Sequence, residues 1–489
     1  MKTSDTDKNK PKCYQQTLDL MAETTEGRTS TKRNIDQSTT RRTQCRVSVS
    51  CGLIGVRERA KENKDLQFTA LLHHVTVDLL HESYLSLKRK AASGVDQVTW
   101  QSYGENLEIN LQRLHSQIHQ GSYRAKPTLR RYIPKADGSK RPLGITCLED
   151  KISQQAIVTV LNNVYEEDFL GFSYGYRLNR SQHDALDAVW MSLMGKRINW
   201  VLDIDIKGFF DSLDHHWLNA FLKHRIADKR ILRLINKWLK AGISEDGKIT
   251  PATVGTPQGS VISPLLANIY LHYVFDLWIN QWRKCKAQGV VTVVRYADDM
   301  VVGFQEHSDA ENFQQELKQR LESFSLCLHP KKTRLIEFGR FAEQQRRRRG
   351  LGKPETFEFL GFTHVCARKR KTKTFIVKRL SIKKRLRERL KVVYDLLLKN
   401  RHKPIEKQGR WLRSVVLGFY NYHAVPGNNK ALEIFKREIA RYWLKALRRR
   451  SQRSRLNWFR FQSVIKLWIP TARILHDYPN ERFYVKYSK

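Results

Sequence analysis

The stretch that decides the fold is Val290-Val291-Thr292-Val293-Val294-Arg295-Tyr296-Ala297-Asp298-Asp299-Met300-Val301-Val302-Gly303-Phe304. Two β-branched runs flank a short acidic tip, a pattern that predicts a strand–turn–strand hairpin. A second segment, Val201-Leu202-Asp203-Ile204-Asp205-Ile206, alternates cleanly. As a strand it presents Leu202, Ile204 and Ile206 on one side and Asp203 and Asp205 on the other. Acids therefore stand where a strand normally carries apolar side chains. Adjacent carboxylates at a tight tip repel, and partial burial raises that cost. Two readings follow. The tip is a polar turn standing in water, since Asp is common in turns, or its acids serve a divalent cation, which takes a few carboxylates together with substrate phosphates.

Outward from these segments, charge is the dominant property. The 489 residues carry 89 Lys and Arg against 48 Asp and Glu, a net +41. Solubility requires no such excess, so a polyanionic partner is expected. The length predicts two or three domains, and 40% hydrophobic residues suffice for a sizeable core. Residues 368–489 hold 35 Lys or Arg and only 7 Asp or Glu. RRRRG at 346–350 and RKRK at 368–371 bracket the change, which puts an expected domain boundary near 367. Upstream, short apolar runs alternate with helical patterns, as in a mixed sheet with helices. Downstream, Leu432, Phe435, Ile439, Trp443 and Leu447 recur at helical spacing, with Lys436, Arg437, Arg441, Lys445 and Arg448 between them. One face suits a core. The other suits phosphates or solvent.

Residues 1–50 contain 15 Ser or Thr, so residues 1–65 are expected to be a mobile leader. Met1 to Lys12 lacks the apolar stretch of a secretory signal, and no run approaches the roughly 20 residues of a membrane span. The seven cysteines form no CxxC pair, which fits a reducing cytoplasm and argues against a cysteine zinc site. The expected location is the bacterial cytosol or nucleoid, with no membrane partner.

Several blocks in a fixed order carry a resemblance. They are Gly94-Val95-Asp96, Ile133-Pro134-Lys135, Arg141-Pro142-Leu143-Gly144-Ile145, Phe172-Ser173-Tyr174-Gly175-Tyr176-Arg177 and Asp205-Ile206-Lys207-Gly208-Phe209-Phe210-Asp211. They continue with Gly255-Thr256-Pro257-Gln258-Gly259-Ser260 through Ser263-Pro264 to Asn268, then Tyr296-Ala297-Asp298-Asp299. Leu328-His329-Pro330-Lys331-Lys332-Thr333-Arg334, Phe357-Glu358-Phe359-Leu360-Gly361-Phe362 and Leu417-Gly418-Phe419-Tyr420-Asn421-Tyr422 complete the series. From about 66 to about 450 the chain resembles a group II intron-encoded reverse transcriptase with maturase function.

The resemblance implies an α/β (α+β) right-hand polymerase. Fingers and palm would occupy 66–367, a helical thumb or maturase domain 368–450, and a short basic DNA- or RNA-docking tail 451–489. It implies RNA-templated DNA synthesis with two Mg²⁺ ions at Asp205, Ile206, Asp298 and Asp299, the three acids being catalytic. Asp203 shares a strand face with Asp205 but is not part of that set. Lys135 and Arg141 would grip the triphosphate, where Arg gives bidentate contacts and Lys a point charge. Pro257, Gln258 and Gly259 would contact template and nucleotide, although Gln258 taken alone reads better as an ordinary loop amide. Phe210 would block a ribose 2′-hydroxyl, a role compatible with a place in the core. Arg437, Arg441, Lys445, Arg448, Arg449 and Arg450 are the expected RNA contacts. The implied partners are intron RNA, an RNA template, a DNA primer and target, deoxynucleoside triphosphates and, in a homodimer, a second copy.

Local chemistry explains some blocks independently. Ser263 before Pro264 predicts an N-cap followed by Pro at the first helical position, with Leu266, Ile269, Tyr273 and Leu277 along the buried face. Asp211 and His216 read as capping or local hydrogen-bonding groups. Beyond Arg450 only His476, Asp477 and Glu481 could serve a nuclease, so no nuclease module is expected there. Two rival readings remain. One is a domesticated reverse transcriptase serving defence or repair, the other a non-catalytic RNA-binding splicing factor.

Overall fold

A computed structural model of the chain describes residues 52–134, 140–451 and 455–487. The described strands, in chain order, are β1 (Thr128–Pro134), β2 (Lys140–Ile145), β3 (Trp200–Ile204), β4 (Ile243–Glu245), β5 (Lys248–Thr250), β6 (Val291–Tyr296), β7 (Asp299–Phe304), β8 (Arg334–Glu337), β9 (Phe357–Phe359), β10 (Phe362–Arg368) and β11 (Phe375–Ser381). The described chain divides into two compact units, one from 52–181 with 200–335, the other from 182–199 with 336–487.

In the first unit the β-branched runs pair as their alternation predicts. β6 and β7 form the antiparallel hairpin, with Tyr296 opposite Asp299. β3 lies antiparallel to β7, with Ile204 opposite Met300. The sheet order is β6-β7-β3-β8, and the chain leaves the unit along β8. A second sheet, β2-β1-β4-β5, joins the antiparallel β1–β2 pair to β4 through a parallel contact. Helices bury the apolar sides. Leu148–Asp168 contributes Ile152, Ile157, Val160, Leu161 and Val164 to the core. Ser263–Leu271 contributes Leu265, Leu266 and Ile269.

The second unit has a three-stranded sheet, β11-β10-β9, and a helical core. Lys383–Lys399, Ile405–His423, Asn429–Arg448 and Trp458–Trp468 meet around Leu397, Val416, Phe419, Phe435, Ile439, Trp443 and Phe461. The expected apolar stripe Leu432, Phe435, Ile439, Trp443 and Leu447 is fully buried.

Four expectations differ from the structure. First, order begins before residue 66: residues 52–62 are helical and bury Leu53, Val56 and Ala60, while 1–51 lie outside the described residues. Second, no linker stands near 367. RKRK at 368–371 marks the bend between β10 and β11, and RRRRG at 346–350 ends the helix Ala342–Arg348, whose Arg346 and Arg349 pair with buried Glu337. The helix Gln182–Gly195 joins this unit because Asp187 pairs with buried Arg379 at 2.7 Å.

Third, the expected docking tail at 451–489 is, over its described residues 455–487, part of the second unit's own packing. Phe461 and Ile469 are buried in the helical core, and Pro479–Tyr487 packs along Gln182–Gly195. Fourth, the helix after Pro264 begins at Ser263 itself, and Ile262 precedes it without a side-chain cap. The Ser263 hydroxyl instead donates to Pro257 O at 3.1 Å. A π-helical turn at His272–Asp276 then rotates the face, and Leu277 ends 41% exposed. Among the described residues, no helix is long and apolar enough to cross a membrane.

Trp443 is the largest fully buried side chain, with its indole Nε1 donating to Gln408 Oε1 at 2.8 Å and its ring edge-on to Phe461. Trp443→Ala should lower the stability of this unit by about 3–5 kcal/mol. Trp443→Phe keeps much of the volume and should cost less. Urea denaturation checks both, and near-neutral behaviour of the alanine variant would contradict the packing described.

Candidate functional site

The acids expected to act together lie at one end of the β6-β7-β3-β8 sheet. One step beyond the paired residues Ile204 and Met300 come Asp205 on one strand and Asp299 on the other, with Asp298 next in the hairpin tip. Burial pushes the Asp298 carboxyl above the usual carboxylate range, and the charge of Asp205 adds to this while Arg141 and Lys332 oppose it. Asp205 is also held from below. Its carbonyl accepts from His329 N at 2.8 Å, and Lys332 Nζ stands 3.2 Å from its carboxylate. Lys207 N donates to Cys327 O, so the bridge between Ile206 and Leu328 uses the carbonyl of Asp205 and not that of Ile206.

The tip needs support because Ala297 adopts φ +55°, a left-handed conformation that costs a non-glycine residue roughly 1–2 kcal/mol. Arg295 supplies it. This fully buried guanidinium pairs with the equally buried Asp276, donating from Nε to Oδ1 at 2.7 Å. Its Nη1 donates to Ala297 O at 3.2 Å and to Asn268 Oδ1 at 3.0 Å. Asn268 Nδ2 in turn donates to Gly175 O at 2.7 Å. The segment 172–174 exchanges main-chain hydrogen bonds with Arg295, and a Cβ on Gly175 would fall 2.3 Å from Ala297 N. Only glycine lets these two backbones touch.

Tyr176, at φ +57°, follows this contact and keeps 48% of its surface exposed beside Asp298. The resemblance blocks contained Tyr176, Asn268 and Lys332 without marking them as site residues. Arg295 carried a readable signal, a lone cation inside a β-branched run. Asp276 stands seven residues after buried Ile269, on the same helical face, but its sequence surroundings did not name a partner for its charge.

The residues expected to meet the nucleotide converge on Gln258. Its Oε1 accepts from Arg141 Nε at 3.0 Å, its Nε2 donates to Asp211 Oδ2 at 3.3 Å, and its carbonyl accepts from Gly144 N at 2.7 Å. Gly259 has φ +112°, and its missing Cβ leaves room for Gly144 O. Thr256 N donates to the carbonyl of Phe210, whose ring is 9% exposed and edge-on to Phe209. The Pro257 carbonyl receives Ser263 and Ser260. Asp214, rather than Asp211 or His216, caps the helix His215–Lys223. Lys135 lies outside the described residues.

In the second unit Arg437, Arg441, Lys445, Arg448 and Arg449 are exposed along and just beyond the helix Asn429–Arg448. Arg450 differs: its guanidinium donates to the carbonyls of Arg401 and Lys403, committing it to holding a loop.

Among the described residues, no three His, Cys, Asp or Glu side chains are grouped so as to hold a metal ion as they lie. The donor chemistry nevertheless fits a hard cation. Asp298 is penalised by burial and by Asp205, and an ammonium group already leans on Asp205.

The family described as reverse transcriptase (RNA-dependent DNA polymerase) matches residues 133–364. With the sheet and helices above, these residues form the reverse transcriptase domain of a right-hand polymerase. The relatives it resembles include group II intron-encoded and other intron-encoded proteins. The chain is 36% identical to Group II intron-encoded protein LtrA of Lactococcus lactis subsp. cremoris, over 44% of this chain and 36% of that protein. It is 35% identical to Protein YkfC of Escherichia coli, over 45% of this chain and 65% of that protein. It is 30% identical to Putative COX1/OXI3 intron 1 protein of Saccharomyces cerevisiae, over 47% and 27%. The matches thus span less than two thirds of each relative. Reverse transcriptases generally use a divalent metal.

Removing one partner of the Arg295–Asp276 pair strands a buried charge. Arg295→Met should therefore destabilise the first unit by about 3–5 kcal/mol. The double variant Arg295→Met with Asp276→Leu should recover part of that loss. A double-mutant cycle by chemical denaturation measures the coupling, and strict additivity would show that the pair does not act as a unit.

Proposed function

We propose that the chain is an RNA-directed DNA polymerase of a group II intron that also binds the intron RNA to promote splicing and mobility, acting in the cytoplasm. The observation that carries this reading is the gathering of Asp205, Asp298 and Asp299 at one end of the sheet, where burial and like charge oppose ionisation of Asp298. The sheet β2-β1-β4-β5 is assigned to the fingers, β6-β7-β3-β8 to the palm and the helices of 383–448 to the thumb.

Asp205, Asp298, Asp299 and the main-chain carbonyl of Ile206 would hold two Mg²⁺ ions. Such ions lower the pKa of a primer 3′-hydroxyl and stabilise the charge of departing pyrophosphate. The protein's own groups do the rest. Lys332 offsets the charge of Asp205 until substrate arrives. Arg141, with Lys135, takes triphosphate oxygens, and Gln258 keeps the Arg141 guanidinium aimed. Phe210 stands against the sugar and is fixed by its own burial, which suits a steric test for a 2′-hydroxyl. In the bond-forming step the primer oxygen attacks the α-phosphorus, its proton passes to solvent, and the bond between the α- and β-phosphates breaks to release pyrophosphate.

The exposed cations Arg437, Arg441, Lys445, Arg448 and Arg449 support phosphate binding on a different unit from the acids. Stabilising one RNA conformation by binding it is mass action and needs no chemistry.

Polymerisation and RNA binding should therefore separate. Asp298→Asn should lower primer extension on a poly(rA) template by on the order of a thousandfold. Intron RNA affinity should hold in the same preparation. Retention of a tenth of the extension rate would reject the acid's assignment. RNA affinity should also fall steeply with salt, with a log–log slope reflecting at least about five phosphate contacts. A flat response in a salt titration would mean that the basic helix faces only water.

A further inference from the structure

The basic face of the second unit is not uniform. Where Asn429–Arg448 ends and Trp458–Trp468 begins, an open cleft of about 430 Å³ is lined by Arg441, Leu444, Lys445, Arg448, Arg449 and Trp458. Four of these six are cations and none is an acid. The apolar pair has different surroundings: Leu444 is buried at the base, whereas Trp458 leaves 40% of its surface to solvent.

The cleft is built rather than incidental. Arg448 Nε donates to Leu456 O at 2.6 Å and so ties the incoming chain to the long helix. Asn457 caps the next helix by accepting from Arg460 N. The Trp458 ring leans on Phe461, which is fully buried against Trp443. Lys445 Nζ stands 5.4 Å from the Tyr394 ring, which restrains the ammonium group. A large apolar ring held rigidly among cations, with one side wet, implies a ligand that carries both a flat π-face and negative charge.

We propose that this cleft holds a nucleotide of single-stranded RNA, its base stacked on Trp458 and its phosphates on Lys445, Arg448 and Arg449. The proposal rests on the reading that this face binds RNA, and adds that the bound stretch is unpaired. In a duplex the bases are stacked on one another, so an exposed indole finds only sugar and phosphate edges. An acidic peptide supplies charge but usually no planar partner. An unpaired strand supplies both at every residue, and stacking on an aromatic side chain tolerates any base.

The test uses the full-length chain with a short unstructured oligouridylate and, separately, an RNA duplex of equal length. Trp458→Ala should weaken oligouridylate binding by about thirtyfold, the middle of the range for loss of one base stack. Trp458→Phe, which keeps a π-face, should recover most of that loss, and duplex affinity should stay within about twofold for both. The tryptophan carries no charge, so its loss should leave the salt slope unchanged. Arg448→Gln with Arg449→Gln should reduce that slope by about 1.4.

In parallel, photocrosslinking of an iodouridine-substituted strand to the unaltered chain should map to Trp458, a readout that needs no variant to fold. Unchanged single-strand affinity in Trp458→Ala, or equal loss for strand and duplex, would overturn the stacked nucleotide while leaving RNA binding intact. Absence of salt-dependent binding to either probe by the wild-type chain would instead reject the RNA-binding reading itself.

Discussion

A guanidinium and a carboxylate, both shut off from solvent, hold the acidic end of the sheet together. Arg295 and Asp276 satisfy each other, and the remaining donors of Arg295 reach the tip carbonyl of Ala297 and the side chain of Asn268. The pair brings little net stability over a hydrophobic alternative, because both charges have been desolvated. What it supplies is a fixed position. The tip contains a non-glycine residue in the left-handed region, next to an acid whose ionisation burial resists. Such a turn persists only where its surroundings over-determine it. Here Gly175 presses against it from outside and Arg295 grips it from within.

The helix after Pro264 is shaped by the same demand. A regular α-helix through 263–285 would have kept Leu277 on the buried stripe begun by Leu266 and Ile269. The π-helical turn at His272–Asp276 sacrifices that register, and Leu277 moves outward while Asp276 is fully enclosed. The Gln258 loop follows a similar logic, binding the carbonyl of Phe210, the amide of Gly144 and the guanidinium of Arg141 through one short bend. The Gln258 loop is thereby fixed to strand β2 and to the turn after Asp205.

Charge is used in two opposite ways along the chain. In the first unit a few acids are concentrated against burial and tempered by single cations, Lys332 and Arg141. In the second, cations are displayed on a helix whose other side is a conventional apolar core. Not every cation is displayed. Arg379 is buried against Asp187, and Arg450 ties down carbonyls, so a count of basic residues overstates the cationic surface.

The sequence by itself determined whatever depends on period and local chemistry. The hairpin followed from β-branched runs around an acidic tip, and the alternation of Leu202, Ile204 and Asp205 assigned their faces. The 3.6-residue stripe of Leu432 to Leu447 marked the helix and its core side. Ordered motif blocks then pointed to the polymerase family. Tertiary structure decided what depends on neighbours distant in the chain. Runs such as RKRK at 368–371 look alike whether they are linkers or the bend of a hairpin, and only the pairing of β10 with β11 distinguishes them. The packing of 458–487 could not be read either, because a short basic aromatic segment becomes core only when Trp443 offers a surface for Phe461. Asp276 is the sharpest case. Helical spacing from Ile269 puts it on the buried face, but the guanidinium 19 residues later that neutralises it there is supplied only by the fold. Periodicity is a property of one segment, whereas the partner of a buried charge is a property of the fold.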